Sequence, residues 1–381
     1  MNASRRDFFR QVTVGAALTA AHWRLDELPQ AAFQGRSGSR GSSKPIRLDM
    51  NVNPYGPSPK VLETIRASLN LVNKYPDSDY RPLAERIADF HKVKSNEVTL
   101  GCGSREVLRM VVAAFLNRNK TLILASPGFE PMANLAKQAE AEVIAVPINK
   151  RYAHDLDAML HRTNGSTGLI YICNPNNPTG SLTLRKDLEA FLEDLPSNVA
   201  VVIDEAYHEY VGSTADYASF IDHPIDDNRV IVVRTFSKIY GIAGLRLGYA
   251  VSSKDVSCKL SSMQLQRGVN IVAARCGAAA LDDSDYVRLS SSRNADQRQE
   301  FYNQTNARML RQIDSVTNFV FTKTGLPSSQ VIEHFERNGI TLGRVVREMD
   351  RYVRVAISTG ENMKEFWRVW DLLPSMPHKM G

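Results

Sequence analysis

Cysteine is scarce: four in 381 residues, Cys102, Cys173, Cys258 and Cys276, with no C-x-x-C pair among them. That excludes a disulfide-built scaffold and a cysteine-ligated zinc site. The eight histidines are scattered instead of standing at ligand spacings, so a catalytic metal is not expected. Charge of one sign is also sparse, since 47 basic and 41 acidic residues leave only +6. Those basic residues form no arginine-rich or aromatic-interleaved stripe, which disfavours a nucleic-acid partner. No apolar run is long enough to span a membrane. What is present, 43% hydrophobic and 23% charged residues, is ordinary for a globular enzyme. The length suits one large and one small domain.

The amino terminus stands apart. Ser4-Arg5-Arg6-Asp7-Phe8-Phe9-Arg10 precedes a short, weakly apolar run from Val12 to Ala21, closed by His22 and Trp23. Paired arginines, an aromatic pair and small residues in that order resemble a twin-arginine export signal, which implies an exported or periplasmic protein. The other reading is a basic leader on a cytoplasmic protein. Gly35 to Ser43 is rich in Gly, Ser and Arg and reads as a flexible linker. Residues 1–43 are therefore set aside as leader and linker.

From 44 to 80 the chain is rich in Pro and Asn, with a short helix expected near Pro59 to Leu69. Strand and helix patterns then alternate. Strands are expected at 97–100, 121–125, 142–147, 168–172, 199–203, 230–234 and 247–251, and helices at 254–266 and 273–281. A long helix is expected over 285–314, then strand 318–322, helix 328–338, strand 352–357 and helix 361–372. The predicted fold class is α/β: a large domain over 81–284 with a mostly parallel seven-stranded sheet flanked by helices, and a smaller α+β domain over 285–381.

Polar residues collect just past the ends of the apolar strands, where open α/β sheets build their sites. Lys238 closes Thr235-Phe236-Ser237-Lys238, and Gly244-Leu245-Arg246-Leu247-Gly248 follows. A desolvated lysine amine beside another cation becomes nucleophilic and forms a Schiff base with an aldehyde. Thr235, Ser237 and Arg246 are donors suited to a phosphate monoester. An aldehyde and a phosphate together describe pyridoxal 5′-phosphate. Asp204 follows the apolar run 199–203, and a buried carboxylate needs a cation, which a protonated pyridine nitrogen supplies. Tyr207 and Asn177 can both donate to the coenzyme's phenolic oxygen, while Glu205 and Glu209 read as structural or solvated. After Gly101-Cys102-Gly103, the backbone amides of Ser104 and Arg105 open a helix and can cradle phosphate. Glu106 stands where a dinucleotide fingerprint places its third glycine, which argues against NAD.

Taken in order, these motifs resemble those of fold-type I pyridoxal-phosphate-dependent aminotransferases, most closely the histidinol-phosphate aminotransferase family. The matching stretches run from Leu48-Asp49-Met50-Asn51-Val52-Asn53-Pro54-Tyr55-Gly56-Pro57 through Lys74-Tyr75-Pro76-Asp77 to Val353-Arg354-Val355-Ala356-Ile357-Ser358. The resemblance covers nearly everything after residue 44. It implies a homodimer in which Tyr75 reaches the other subunit's phosphate. It implies catalysis by Lys238 with Asp204 and Tyr207, and a cis peptide at Asn177-Pro178. Phe129 occupies the place of an aromatic stacked on the pyridine ring, where the family more often has tyrosine; a core phenylalanine is the other reading. Arg354 matches a clamp for the substrate carboxylate, with a structural salt bridge as the competing role. Tyr55, Asn177 and Arg344 are the further substrate contacts implied, and Arg344 is displaced by an inserted glycine, Gly343. The implied activity transfers an amino group between an amino acid or amine phosphate and a 2-oxo acid, 2-oxoglutarate above all. A decarboxylase of a phosphorylated amino acid and a catalytically idle coenzyme-binding protein are the alternatives.

Overall fold

The computed structural model describes residues 45–374, so the leader and its linker lie outside the described residues. The strands are β1 (Ile46–Arg47), β2 (Val98–Gly101), β3 (Thr121–Ser126), β4 (Glu142–Pro147), β5 (Thr167–Cys173), β6 (Ala200–Asp204), β7 (Val230–Thr235) and β8 (Gly248–Val251), followed by β9 (Gln312–Ile313), β10 (Phe319–Lys323), β11 (Ile340–Thr341) and β12 (Tyr352–Ala356). The helices are α1 (Pro59–Ser68), α2 (Tyr80–His91), α3 (Ser104–Phe115), α4 (Glu130–Gln138), α5 (Leu156–Arg162) and α6 (Arg185–Asp194), then α7 (Lys254–Ser261), α8 (Ile271–Leu281), α9 (Ser284–Ala307), α10 (Ser328–Arg337) and α11 (Gly360–Trp370).

Strands β5, β6 and β7 are buried along their whole length, because helices cover both faces of the sheet. Ile170, Ile172, Val201, Ile203 and Val232 fill one layer, and Leu169, Tyr171, Val202, Ile231 and Val233 the other. Continuous apolar runs are thus what the sheet requires. The seven strands lie in the order β2-β8-β7-β6-β5-β3-β4. Only β8 is reversed, being antiparallel to both β2 and β7. The carboxyl ends of β2, β3, β5, β6 and β7 therefore share one edge.

A separate core belongs to the carboxy-terminal part, where α10 and α11 pack Phe335 against Phe366 with ring centroids 4.9 Å apart. Its sheet is antiparallel, in the order β12-β10-β9. The segment leaving the linker joins this part: β1 pairs in parallel with β11, and Leu48 is hydrogen-bonded to Thr341 and Ala356.

Two helices are shorter than the sequence pattern predicts. The expected helix over 285–314 ends at Ala307, because Met309 adopts a left-handed backbone (φ 53°) and Gln312–Ile313 pairs with β10. The expected helix over 254–266 ends at Ser261, and Leu265 beyond it donates its amide to Glu106. In both, tertiary pairing overrides helical propensity.

Candidate active site

The shared sheet edge gathers the polar groups. Lys238 sits in the turn after β7, half-buried, and its Nζ donates to the Met50 carbonyl at 3.1 Å. Among the described residues no carboxylate forms an ion pair with it. Burial, then the positive charge of Arg354, lowers its pKa to about 8, with Asp204 opposing that trend and Arg246 adding to it. Asp204 ends β6 opposite Cys173 of β5 and is buried. Its carboxylate accepts from the Tyr171 hydroxyl at 2.7 Å and from the Ala206 amide at 3.1 Å. Burial raises its pKa to about 6 despite those donors and the nearby Lys238 charge. A lysine amine of lowered pKa and an under-compensated carboxylate thus lie close enough to feel each other's charge.

Tyr207 is buried beside them, and its oxygen accepts from Asn51 at 3.1 Å and from Asn177 at 3.3 Å. The Asn177–Pro178 peptide is cis. Arg354, on β12, donates to the Asn177 side-chain oxygen at 2.8 Å and to the Asp49 carbonyl. Its Nε is buried without a partner, and among the described residues no carboxylate pairs with it. No salt bridge of the competing structural kind is therefore present on Arg354 among the described residues. Burial lowers its pKa.

A second anion site lies at the start of α3. The first-turn amides of a helix have no intrahelical acceptor, and here they follow Gly103 at φ 76°. A Cβ on Gly103 would collide with the Arg246 guanidinium, and one on Gly248 would collide with the Ser104 amide. Both glycines therefore let the backbone and a cation approach one point. Arg246 donates to Ala243 at 3.0 Å and to the Ser237 hydroxyl at 3.4 Å, while Thr235 accepts from the Ser237 amide at 3.1 Å. The Arg105 side chain is exposed, so only its amide faces the cradle. Glu106 accepts from the Cys102 and Leu265 amides, a loop-holding role that explains a carboxylate where a third glycine would otherwise stand.

This donor set fits one kind of guest: an aldehyde for Lys238, a phosphate for the α3 cradle, and a basic ring nitrogen for Asp204. Phe129 immediately precedes α4, half-buried, with its ring 6.5 Å from that of Tyr171. Three expected site residues are not joined to this cluster by direct contact. Tyr55 lies under the Arg293 guanidinium at 4.8 Å, in a small cavity walled by Asn294 and Ser358. Tyr75 is 71% exposed, with Arg267 above its ring at 4.4 Å. Arg344 is ion-paired to Glu130, although its charge is felt by Arg354.

Four contributors escape a reading of the sequence. Tyr171 hides as one more core residue of β5. Asn51 and the Met50 carbonyl come from a segment without regular structure. Arg234, 2% exposed on β7, pairs with Glu205 at 2.8 Å and with Glu209 at 3.3 Å, and donates to Ser219 at 2.9 Å. It ties the loop that follows Asp204 and carries Tyr207 to the strand that leads to Lys238. A basic residue inside an otherwise apolar strand, with two glutamates after the neighbouring strand, was the available signal.

The chain matches the family described as Aminotransferase class I and II over residues 43–372. It is 34% identical over 323 residues to a histidinol-phosphate aminotransferase of Geobacillus thermodenitrificans, covering 84% of this chain and 88% of the relative. A histidinol-phosphate aminotransferase of Macrococcus caseolyticus is 35% identical over 323 residues, covering 85% and 89%. Among solved structures, the histidinol-phosphate aminotransferase from Sinorhizobium meliloti in complex with pyridoxal-5′-phosphate superposes with a TM-score of 0.80 at 26% identity, covering 87% of this chain and 90% of that one.

Proposed function

The chain belongs to the class I and II aminotransferase family and is a pyridoxal-phosphate-dependent aminotransferase of fold type I, and we propose that it moves an amino group between histidinol phosphate, or a similar amine bearing a phosphate monoester, and 2-oxoglutarate. The observation that carries this is the Lys238 amine, without an ion-pair partner among the described residues, sharing one sheet edge with the under-compensated Asp204 carboxylate and Arg354.

When bound, the coenzyme supplies an aldehyde for the amine and a ring that withdraws electrons from the substrate's α-carbon. Lys238 would hold it, Ser104, Arg105, Ser237, Thr235 and Arg246 would hold its phosphate, and Asp204 would keep its ring nitrogen protonated. Lys238 would also be placed to take the substrate's α-proton as general base, since its lowered pKa leaves a useful free-base fraction near neutrality. Arg354 would orient the substrate. A guanidinium with free N–H groups suits both anions of the proposed pair, the phosphate of histidinol phosphate and the α-carboxylate of glutamate. Arg344 would act only after leaving Glu130.

The proposed assembly is a homodimer. Leu69, Val72, Tyr75 and Leu265 are 57, 65, 71 and 57% exposed, an apolar surface that a second copy would cover. Tyr75 would then complete the partner's phosphate site. We read the Arg5-Arg6 leader as a twin-arginine export signal on its order of basic, aromatic and weakly apolar residues. Replacing both arginines by alanine in the full chain is expected to retain the enzyme in the cytoplasm, measured by cell fractionation. Unchanged secretion rejects the signal.

For the substrate, the test is a half-reaction. Coenzyme-loaded enzyme mixed with histidinol phosphate is expected to lose its visible band as the amino group is transferred, and 2-oxoglutarate should restore it. A band bleached by other amino donors but untouched by histidinol phosphate rejects the donor.

A further inference from the structure

Three consecutive residues of the segment entering the fold thread through the site. The Asp49 carbonyl accepts from Arg354, the Met50 carbonyl from Lys238 at 3.1 Å, and the Asn51 carbonyl from Asn318 at 2.9 Å. The Asn51 side chain turns inward, with its amide nitrogen 3.1 Å from the Tyr207 hydroxyl. Asn51 is 2% exposed and holds a left-handed backbone at φ 51°, a conformation asparagine tolerates better than most residues. The segment is pinned on both sides. Leu48 is bonded to Thr341 and Ala356, and Asn53 donates to the Ile239 carbonyl at 2.8 Å and to Ser290 at 3.2 Å.

Both amides beside Tyr207 face it with their nitrogens, and the Asn51 oxygen is buried without a partner. A guanidinium only donates, so Arg354 holds the oxygen of Asn177 and leaves the Asn177 amide to donate to Tyr207. With Asn51 donating as well, the phenol oxygen receives two hydrogen bonds, and its own proton is directed to a third partner. We propose that Asn51 is a positioning residue: by donating to the Tyr207 oxygen, it aims the Tyr207 hydroxyl proton at the phenolic oxygen of the bound coenzyme. This rests on the coenzyme reading given above. Asn51 itself touches no reacting atom and acts through Tyr207.

The readout is the pH at which the visible band of the bound coenzyme changes, because a donor to the phenolic oxygen favours its ionised form and lowers that midpoint. The ionisable groups that influence Tyr207 and Lys238 include Asp204 on β6, Cys173 on β5, Arg354 on β12, and Arg246 before β8; substitution at 51 alters none of these side chains. Asn51→Gly keeps the left-handed backbone accessible and removes only the amide. It is expected to raise the midpoint by about half a pH unit or more, the scale of one hydrogen bond between neutral groups. Asn51→Asp places an acceptor where the donor stood, captures the Tyr207 proton, and is expected to raise the midpoint further. In a Tyr207→Phe background, Asn51→Gly should add no further shift. A midpoint unchanged or lowered in Asn51→Gly, or a full additional shift in the Tyr207→Phe background, overturns the proposal while the coenzyme reading stands. A wild-type protein that takes up pyridoxal phosphate without any visible band overturns both.

Discussion

Lys238→Ala is expected to lower turnover by about 10³-fold or more, the combined scale of losing a covalent anchor and a general base. It should also abolish covalent retention of the coenzyme. The expectation rests on how little else Lys238 does. Its amine has one hydrogen bond, to the Met50 carbonyl, and no ion-pair partner among the described residues, so truncation breaks a single contact and removes the nearby positive charge felt by Asp204. A pKa of about 8 leaves roughly a tenth of the amine unprotonated at pH 7, some two orders of magnitude more than a solvated lysine offers. The checks are steady-state turnover, and borohydride reduction followed by mass spectrometry of the digest. The adduct should sit on the peptide carrying residue 238 in the wild type and vanish in the variant, while the thermal midpoint changes little. Turnover within tenfold of wild type, or an adduct on another lysine, removes Lys238 from its role.

The parts of the site legible in the sequence share a physical cause. A strand buried on both faces must be apolar throughout, so the polar residue that ends it stands out, and Asp204, Asn177 and Lys238 all follow such runs. The same contrast located the seven strands of the large sheet. Where the contrast fails, so does legibility. Tyr171 counts as apolar in a strand yet carries the hydroxyl that holds Asp204. The carbonyls of Asp49 and Met50 have no side-chain signature, and the Asn51 amide is turned toward Tyr207 from a left-handed backbone that no periodicity reveals. Glu205 and Glu209, read as structural or solvated, are structural, because Arg234 brings their compensating charge from the next strand. Removing one partner from such a buried set typically destabilises by about 3–5 kcal/mol, so the loop after Asp204 that bears Tyr207 is held firmly.

Asp204→Asn is expected to separate stability from function. In the free protein the carboxylate is buried and its pKa stands at about 6, above the ordinary 3.8. Between those values the folded state binds more protons than the unfolded one, so stability falls as pH rises through that window. Above it, the ionised carboxylate destabilises the coenzyme-free fold by about 3 kcal/mol, from roughly two pKa units at 1.36 kcal/mol each. The amide variant escapes this: its oxygen can accept from Ala206, and its nitrogen can donate to the Tyr171 hydroxyl, which is free to accept. Coenzyme-free Asp204→Asn should therefore melt higher than wild type at pH 7–8 and converge with it near pH 4. With coenzyme bound the order should reverse, because only the carboxylate can pair with a protonated ring nitrogen. Turnover should fall by about 10²–10³-fold, the scale of losing one preorganised electrostatic partner. Thermal melts of both forms against pH, with turnover measured alongside, check all three. A coenzyme-free variant that is less stable than wild type at pH 8 would mean that Asp204 is already neutralised inside the protein, and that no ring nitrogen is needed to complete it.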